Sequence, residues 1–142
     1  MPVRRRRIGR IEAGGGRLGV STTFGIYPAD KVLVAAGAWS GGIEMDEPVL
    51  PPMRPVKGEV LALVPPRGTA LPKQVVWGNG VYLVPREGRL LIGATMEEVG
   101  FDTRLTGKAE SWLTDRAVSL MPSLANWKID EHWAGLRPAS PD

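Results

Sequence analysis

An α+β chain is predicted, a mixed, mainly antiparallel sheet with one long helix packed on it, and three observations predict it. Most apolar residues fall in short runs of strand length closed off by glycine and proline. One stretch, Gly107–Leu120, repeats Ala109, Trp112, Leu113, Ala117 and Leu120 at three- and four-residue spacing. A proline-rich segment, Glu47–Pro55, holds four of the thirteen prolines and is neither helix nor central strand, so a domain boundary is placed there. With 142 residues, 43% hydrophobic and 23% charged, the chain has a globular composition and enough length for a real core.

Taken in order, Ile8–Glu12 and Leu18–Thr22 form a hairpin around Ala13-Gly14-Gly15-Gly16, and Gly25 and Pro28 end its second strand. Lys31–Ala35 is a continuous apolar run, the pattern of a strand buried on both faces, leading into the small residues of Ala36–Gly42. After the proline-rich connection, Val56–Val64 reads as a long strand stopped by Pro65, Pro66 and Gly68. Val75–Trp77 and the turn Gly78-Asn79-Gly80 lead to a second hairpin, Val81–Val84 and Leu90–Ala94 around Pro85–Arg89. There Tyr82 shares a face with Val84 and opposes Leu83. Thr106 caps the helix and Met121-Pro122 ends it. Lys128–Leu136 is the last strand, with Ile129, Glu131, Trp133, Gly135 and Arg137 on one face and Asp130, His132, Ala134 and Leu136 on the other. No further element is expected in Pro138–Asp142. The helix is expected to bury Trp112 and Leu113 against the sheet.

The chain has no cysteine, which excludes disulfide scaffolds and thiol nucleophiles and agrees with a reducing compartment, so the cytoplasm is the expected location. Much of the net charge of +3 sits in Arg4–Arg7, too little and too poor in aromatics for a nucleic-acid arm. No apolar run is long enough for a bilayer, and no membrane partner is expected. His132, the lone histidine, has no ligand cluster around it in the sequence and reads as a surface or satisfied core histidine, so no metal is expected. Nucleophile elbow, phosphate loop and paired carboxylates are all missing. What remains is Tyr82 and Arg137, each near a strand end among apolar residues. A guanidinium forks onto a carboxylate and a phenol adds a donor, so the two suit a carboxylate clamp; on the residues alone, an ordinary core tyrosine is the favoured reading of Tyr82.

The segments VLVAAGAWSG (Val32–Gly41), RPVKGEVLAL (Arg54–Leu63), VYLVPREGRLLIGATMEEVGFD (Val81–Asp102) and DEHWAGLRPASPD (Asp130–Asp142) resemble, in order and spacing, the flavin-dependent glycine oxidases of the D-amino-acid oxidase family, which serve thiamine biosynthesis. The resemblance implies that FAD oxidises glycine or a small amino acid to the 2-oxo acid, with ammonia and hydrogen peroxide released. It implies that Tyr82 and Arg137 hold the substrate carboxylate, that Met96 lines the pocket, that Ile8 touches the adenine side of FAD, and that Ala36 and Gly37 lie near the cofactor. Residues 1–45 then correspond to a remnant of the FAD-binding domain, 46–136 to part of the substrate-binding domain, and 137–142 to the return. The family's Gly-x-Gly-x-x-Gly pyrophosphate turn and its closing glycine-rich segment have no counterpart, so a middle fragment, inactive by itself and self-associating into a homo-oligomer, is expected. The alternative is a non-catalytic β-rich interaction module that uses an open sheet edge.

Overall fold

The computed structural model of the chain describes residues 7–14, 16–46 and 51–141. Arg4, Arg5 and Arg6 of the basic run and residues 47–50 of the proline-rich connection lie outside these residues. Contacts divide the chain into two compact units, one running to Pro55 and resuming at Pro138, the other Val56–Arg137.

The first unit is built on a four-stranded sheet of order β3-β2-β1-β4. Strands β1 (Ile8–Gly14) and β2 (Arg17–Thr22) form the expected antiparallel hairpin, with Ile11 opposite Val20. The chain does not leave the sheet at Gly25, as the glycine and proline suggest, but turns into a third strand, β3 (Gly25–Ala29). Thr22 makes the turn, its hydroxyl accepting from the Phe24 amide at 3.1 Å and donating to the Gly25 carbonyl at 3.0 Å. Pro28 is tolerated because β3 is outermost in the sheet, where a missing N–H breaks no central ladder. Strand β4 (Glu44–Met45) runs parallel to β1 and is tied to it by the Arg10–Asp46 ion pair.

The expected strand Lys31–Ala35 is not formed: residues 31–36 have no regular structure and Leu33 is 90% exposed. A run of this kind is stable as a strand only with neighbours on both sides, and no described strand pairs with it. Its small-residue exit does become ordered, as a 3-10 helix over Gly37–Gly42 that buries Ala38.

The second unit is a five-stranded sheet of order β6-β7-β8-β5-β9 with one face against helix α1. Its strands are β5 (Arg54–Val64), β6 (Val76–Gly78), β7 (Val81–Arg86), β8 (Arg89–Gly93) and β9 (Lys128–Ala139), with α1 at Gly107–Leu120. The β7–β8 turn is tighter than expected: the strands continue through Pro85 and Arg86, leaving Glu87-Gly88, both at positive φ (52° and 80°), as a two-residue turn that suits the strand twist. Asn79-Gly80, also at positive φ, joins β6 to β7 in the same way. The Thr106 hydroxyl accepts from the Ala109 amide at 3.1 Å and caps α1.

The core lies between sheet and helix, where Leu61, Leu83, Leu90, Ile92 and Leu113 are fully buried. Trp112 is half-buried, short of the full burial expected; its ring packs on the core's edge with the Arg116 guanidinium 5.3 Å above it. Two features of β9 also differ from expectation. It extends through Ala139, and Ile129 packs on the core although strict alternation assigns it to the Arg137 face. No helix among the described residues is long and apolar enough to cross a membrane.

Candidate functional site

The pairing register decides which side chains share a face, because residues directly opposite each other point the same way. Leu61, Ile92 and Leu83 are mutually opposite and look into the core. Val60, Gly93, Tyr82 and Trp77 are likewise mutually opposite, and therefore occupy the face turned away from α1. Gly58 lies two residues from Val60 on β5 and shares that face.

Two glycines make this face unusual. A Cβ on Gly93 would fall 2.2 Å from the Tyr82 ring, and one on Gly58 would fall 2.1 Å from the Arg137 guanidinium. The phenol lies over β8 at Gly93 and the guanidinium over β5 at Gly58, so side chains from β7 and from β9 cover adjacent strands on one face of the sheet. The guanidinium is held by a hydrogen bond from Arg137 Nη1 to the Thr95 carbonyl at 3.1 Å. That bond leaves the remaining N–H groups of the fork available to an anion.

The other candidates are placed differently. Met96 is 79% exposed and lies between Thr95 and Glu97, whose side chains meet on the opposite side of the segment. It also borders a cavity of about 230 Å³ at the start of α1, lined by Thr106, Ala109 and Trp112 among others, which includes neither Tyr82 nor Arg137. Ile8 is 41% exposed at the start of β1. Ala36 and Gly37 open the 3-10 helix, with Gly37 at φ +55° and nothing within 4 Å of where its Cβ would stand.

Sequence reasoning missed a charged cluster on the core face. Lys57 and Glu59 are 2% and 0% exposed, with Lys57 Nζ 2.7 Å from Glu59 Oε1. Lys57 also donates to the Arg104 carbonyl at 2.8 Å. Glu59 accepts from the Thr106 amide at 3.2 Å and the Thr106 hydroxyl at 3.1 Å, which ties it to the N-terminus of α1. His132 Nε2 stands 2.7 Å from Glu59 Oε2, but it is buried and makes no hydrogen bond among the described residues, so the lone histidine lies against a buried carboxylate without being the satisfied core histidine expected. The signal was available in Lys57-x-Glu59-x-Leu61-x-Leu63: at period two both charges fall on the face of the core leucines and must be paired there. Among the described residues no group of acidic and histidine side chains is arranged to hold a metal.

Burial alone pushes the Glu59 carboxyl up, but hydrogen bonds from Lys57 and Thr106 outweigh it and hold the group below the ordinary carboxylate range. Its hydrogen bond to Glu59 raises the Lys57 ammonium in turn, against desolvation. A carboxyl depressed in the folded state contributes stability that is complete above its unfolded value, about 4.3, and is lost as pH falls through the lower folded value. The urea midpoint is therefore expected to be level between about pH 5 and 8 and to fall below about pH 4. A midpoint still level at pH 3 would show that folding does not lower the Glu59 carboxyl.

The sequence matches the FAD dependent oxidoreductase family over residues 3–142. It is 42% identical to a glycine oxidase of Pseudomonas aeruginosa over 135 residues, covering 94% of this chain and 36% of that protein. It is 40% identical to the bifunctional protein ThiO/ThiG of a Synechocystis species, covering 87% of this chain and 19% of that one. The crystal structure of glycine oxidase from Geobacillus kaustophilus superposes with a TM-score of 0.86 at 31% identity, over 96% of this chain and 37% of that one. The chain thus spans little more than a third of the length of the glycine oxidases that it matches. With the family match running through both units and the superposition covering both, the chain belongs to the FAD dependent oxidoreductases.

Proposed function

We propose that this chain is the substrate-facing segment of an FAD-dependent oxidase that oxidatively deaminates glycine or another small amino acid, in the service of thiamine thiazole synthesis. The observation that carries this reading is the placement of Tyr82 and Arg137 on one sheet face, each over a glycine. In this reading the Arg137 fork takes the substrate carboxylate and the Tyr82 hydroxyl donates to it, which fixes the α-carbon relative to the sheet. Met96 borders the bound molecule. No side chain is required as acid or base, in keeping with the want of a catalytic pair in the sequence.

For the cofactor, the residues present fit in part. Gly37, with clear space at its Cβ position, and the neighbouring Ala36 permit close backbone approach, and exposed Ile8 offers an apolar contact to an adenine ring. None of the three supplies a ligand for the pyrophosphate. When bound, FAD would accept the hydride from the α-carbon and pass the electrons to oxygen, giving hydrogen peroxide. In this reading residues 1–45 belong to the FAD-binding domain, 46–136 to the substrate-binding domain and 137–142 to the return between them.

Exposed apolar side chains, Leu33 at 90% and Trp77 at 81%, support a homo-oligomeric assembly, and the lack of cysteine supports a cytoplasmic setting. The full-length protein carrying this segment is expected to show flavin absorption and to release hydrogen peroxide and ammonia on addition of glycine. Colourless protein, inert toward glycine, would favour the interaction-module reading instead.

A further inference from the structure

The register of β5 against the segment after β8 slips by one residue. Val60 is opposite Gly93, whereas Lys57 is opposite Glu97, so three steps on β5 match four on the other side and Ala94 is the extra residue. Beyond the slip the ladder resumes. Lys57 and Glu97 exchange both backbone bonds at 2.9 Å, and the Thr95 amide donates to the Glu59 carbonyl at 3.3 Å.

Regular pairing would return the Glu59 amide to the Thr95 carbonyl. It goes instead to the Thr95 hydroxyl at 2.9 Å, and that hydroxyl donates onward to Glu97 Oε1 at 2.7 Å. The side chain has taken the carbonyl's place in the ladder, a competition open to serine and threonine. The Thr95 carbonyl, released from the ladder, is the group that accepts from Arg137 Nη1 on the other face. Thr95 is buried, at 8% exposure, and both ends of its hydroxyl bridge are fixed: Glu59 by Lys57 and Thr106, Glu97 by its backbone bonds to Lys57.

We propose that Thr95 is a positioning residue for the substrate carboxylate: its hydroxyl replaces its own carbonyl in the β ladder, and the freed carbonyl holds the Arg137 guanidinium over Gly58 before substrate arrives. This rests on the clamp reading of Arg137 given above. A long side chain held in its binding geometry loses less freedom when the anion docks, so affinity rises without any contact between Thr95 and the substrate. Without the hydroxyl the Glu59 amide reclaims the carbonyl, because a buried amide is not left unpaired, and Arg137 loses its anchor.

The test uses the full-length, flavin-loaded protein, with acetate as a non-reacting carboxylate whose dissociation constant is measured by calorimetry, alongside KM and kcat for glycine. Thr95→Val is expected to raise the acetate dissociation constant and the glycine KM roughly tenfold with little change in kcat, and Thr95→Ser to restore both to within about twofold. Oxidation of a simple amine lacking the carboxylate should be unaffected. If Thr95→Val does not fold, Thr95→Cys, with a weaker acceptor of similar size, is expected to give a rise of about threefold. Unchanged acetate binding in the folded Val or Cys variant, with Arg137→Lys impaired, overturns the role of Thr95 and leaves the clamp standing. Unchanged acetate binding in Arg137→Lys overturns both.

Discussion

In the full-length protein, with the proposed glycine oxidation as the assay, Arg137→Lys is expected to raise the KM for glycine about ten- to a hundredfold, and Tyr82→Phe by the lower end of that range. A hydrogen bond to a charged group is worth roughly 1.5–3 kcal/mol, which corresponds to that span in catalytic efficiency. Lysine preserves the charge at position 137 but not the planar fork, and its ammonium cannot both reach the Thr95 carbonyl and present two parallel donors to a carboxylate. Gly58→Ala should act in the same direction without touching the arginine, since the new methyl would occupy the place of the guanidinium. Steady-state kinetics on glycine and on an amine without a carboxylate give the decisive contrast. If both substrates lose activity equally in the Arg137 and Tyr82 variants, these residues are structural and Tyr82 is an ordinary sheet tyrosine.

The largest effect on stability is expected from Lys57→Met. Methionine fills the space but leaves Glu59, fully buried, without the cation that neutralises it. Breaking a buried pair from one side costs about 3–5 kcal/mol, a large share of the ~5–15 kcal/mol that holds a typical domain together. Thr106 and His132 still contact Glu59 and moderate the loss. Urea unfolding followed by tryptophan fluorescence measures it, with Trp127 in the core as a reporter. Adding Glu59→Gln should recover part of the loss, since neighbouring substitutions that remove one shared charge problem are not additive. A Lys57→Met variant as stable as the parent would mean that Glu59 takes up a proton at neutral pH at little cost.

Helix α1 was legible to the residue because three signals coincide: apolar period, a threonine cap and a following proline. The β7–β8 hairpin and the face of Tyr82 followed from alternation and from the turn residues within Pro85–Arg89, although the turn itself proved to be only Glu87-Gly88. Residues 31–35 misled because an apolar run states that a segment wants to be covered but not what covers it. Strand β3 was hidden behind Gly25 and Pro28, whose breaker character is harmless in a turn and on an outer strand. The candidate pair Tyr82 and Arg137 came from the resemblance and from residue chemistry together. Their glycine seats and the Thr95 carbonyl were beyond reach, since each depends on which distant residue stands opposite.

The second unit begins in β5 and ends in β9, and these strands are hydrogen-bonded neighbours, with Arg137 from the end of one lying on Gly58 near the start of the other. Entry and exit are side by side, the arrangement in which a host chain accepts an inserted domain most readily. Unit two thus has the form of a cassette: because its first and last strands are neighbours, a change in length between them leaves its entry and exit next to each other. The arginine sits at the seam of that cassette, so a graft cut one strand position too early would carry the tyrosine across and leave its partner behind.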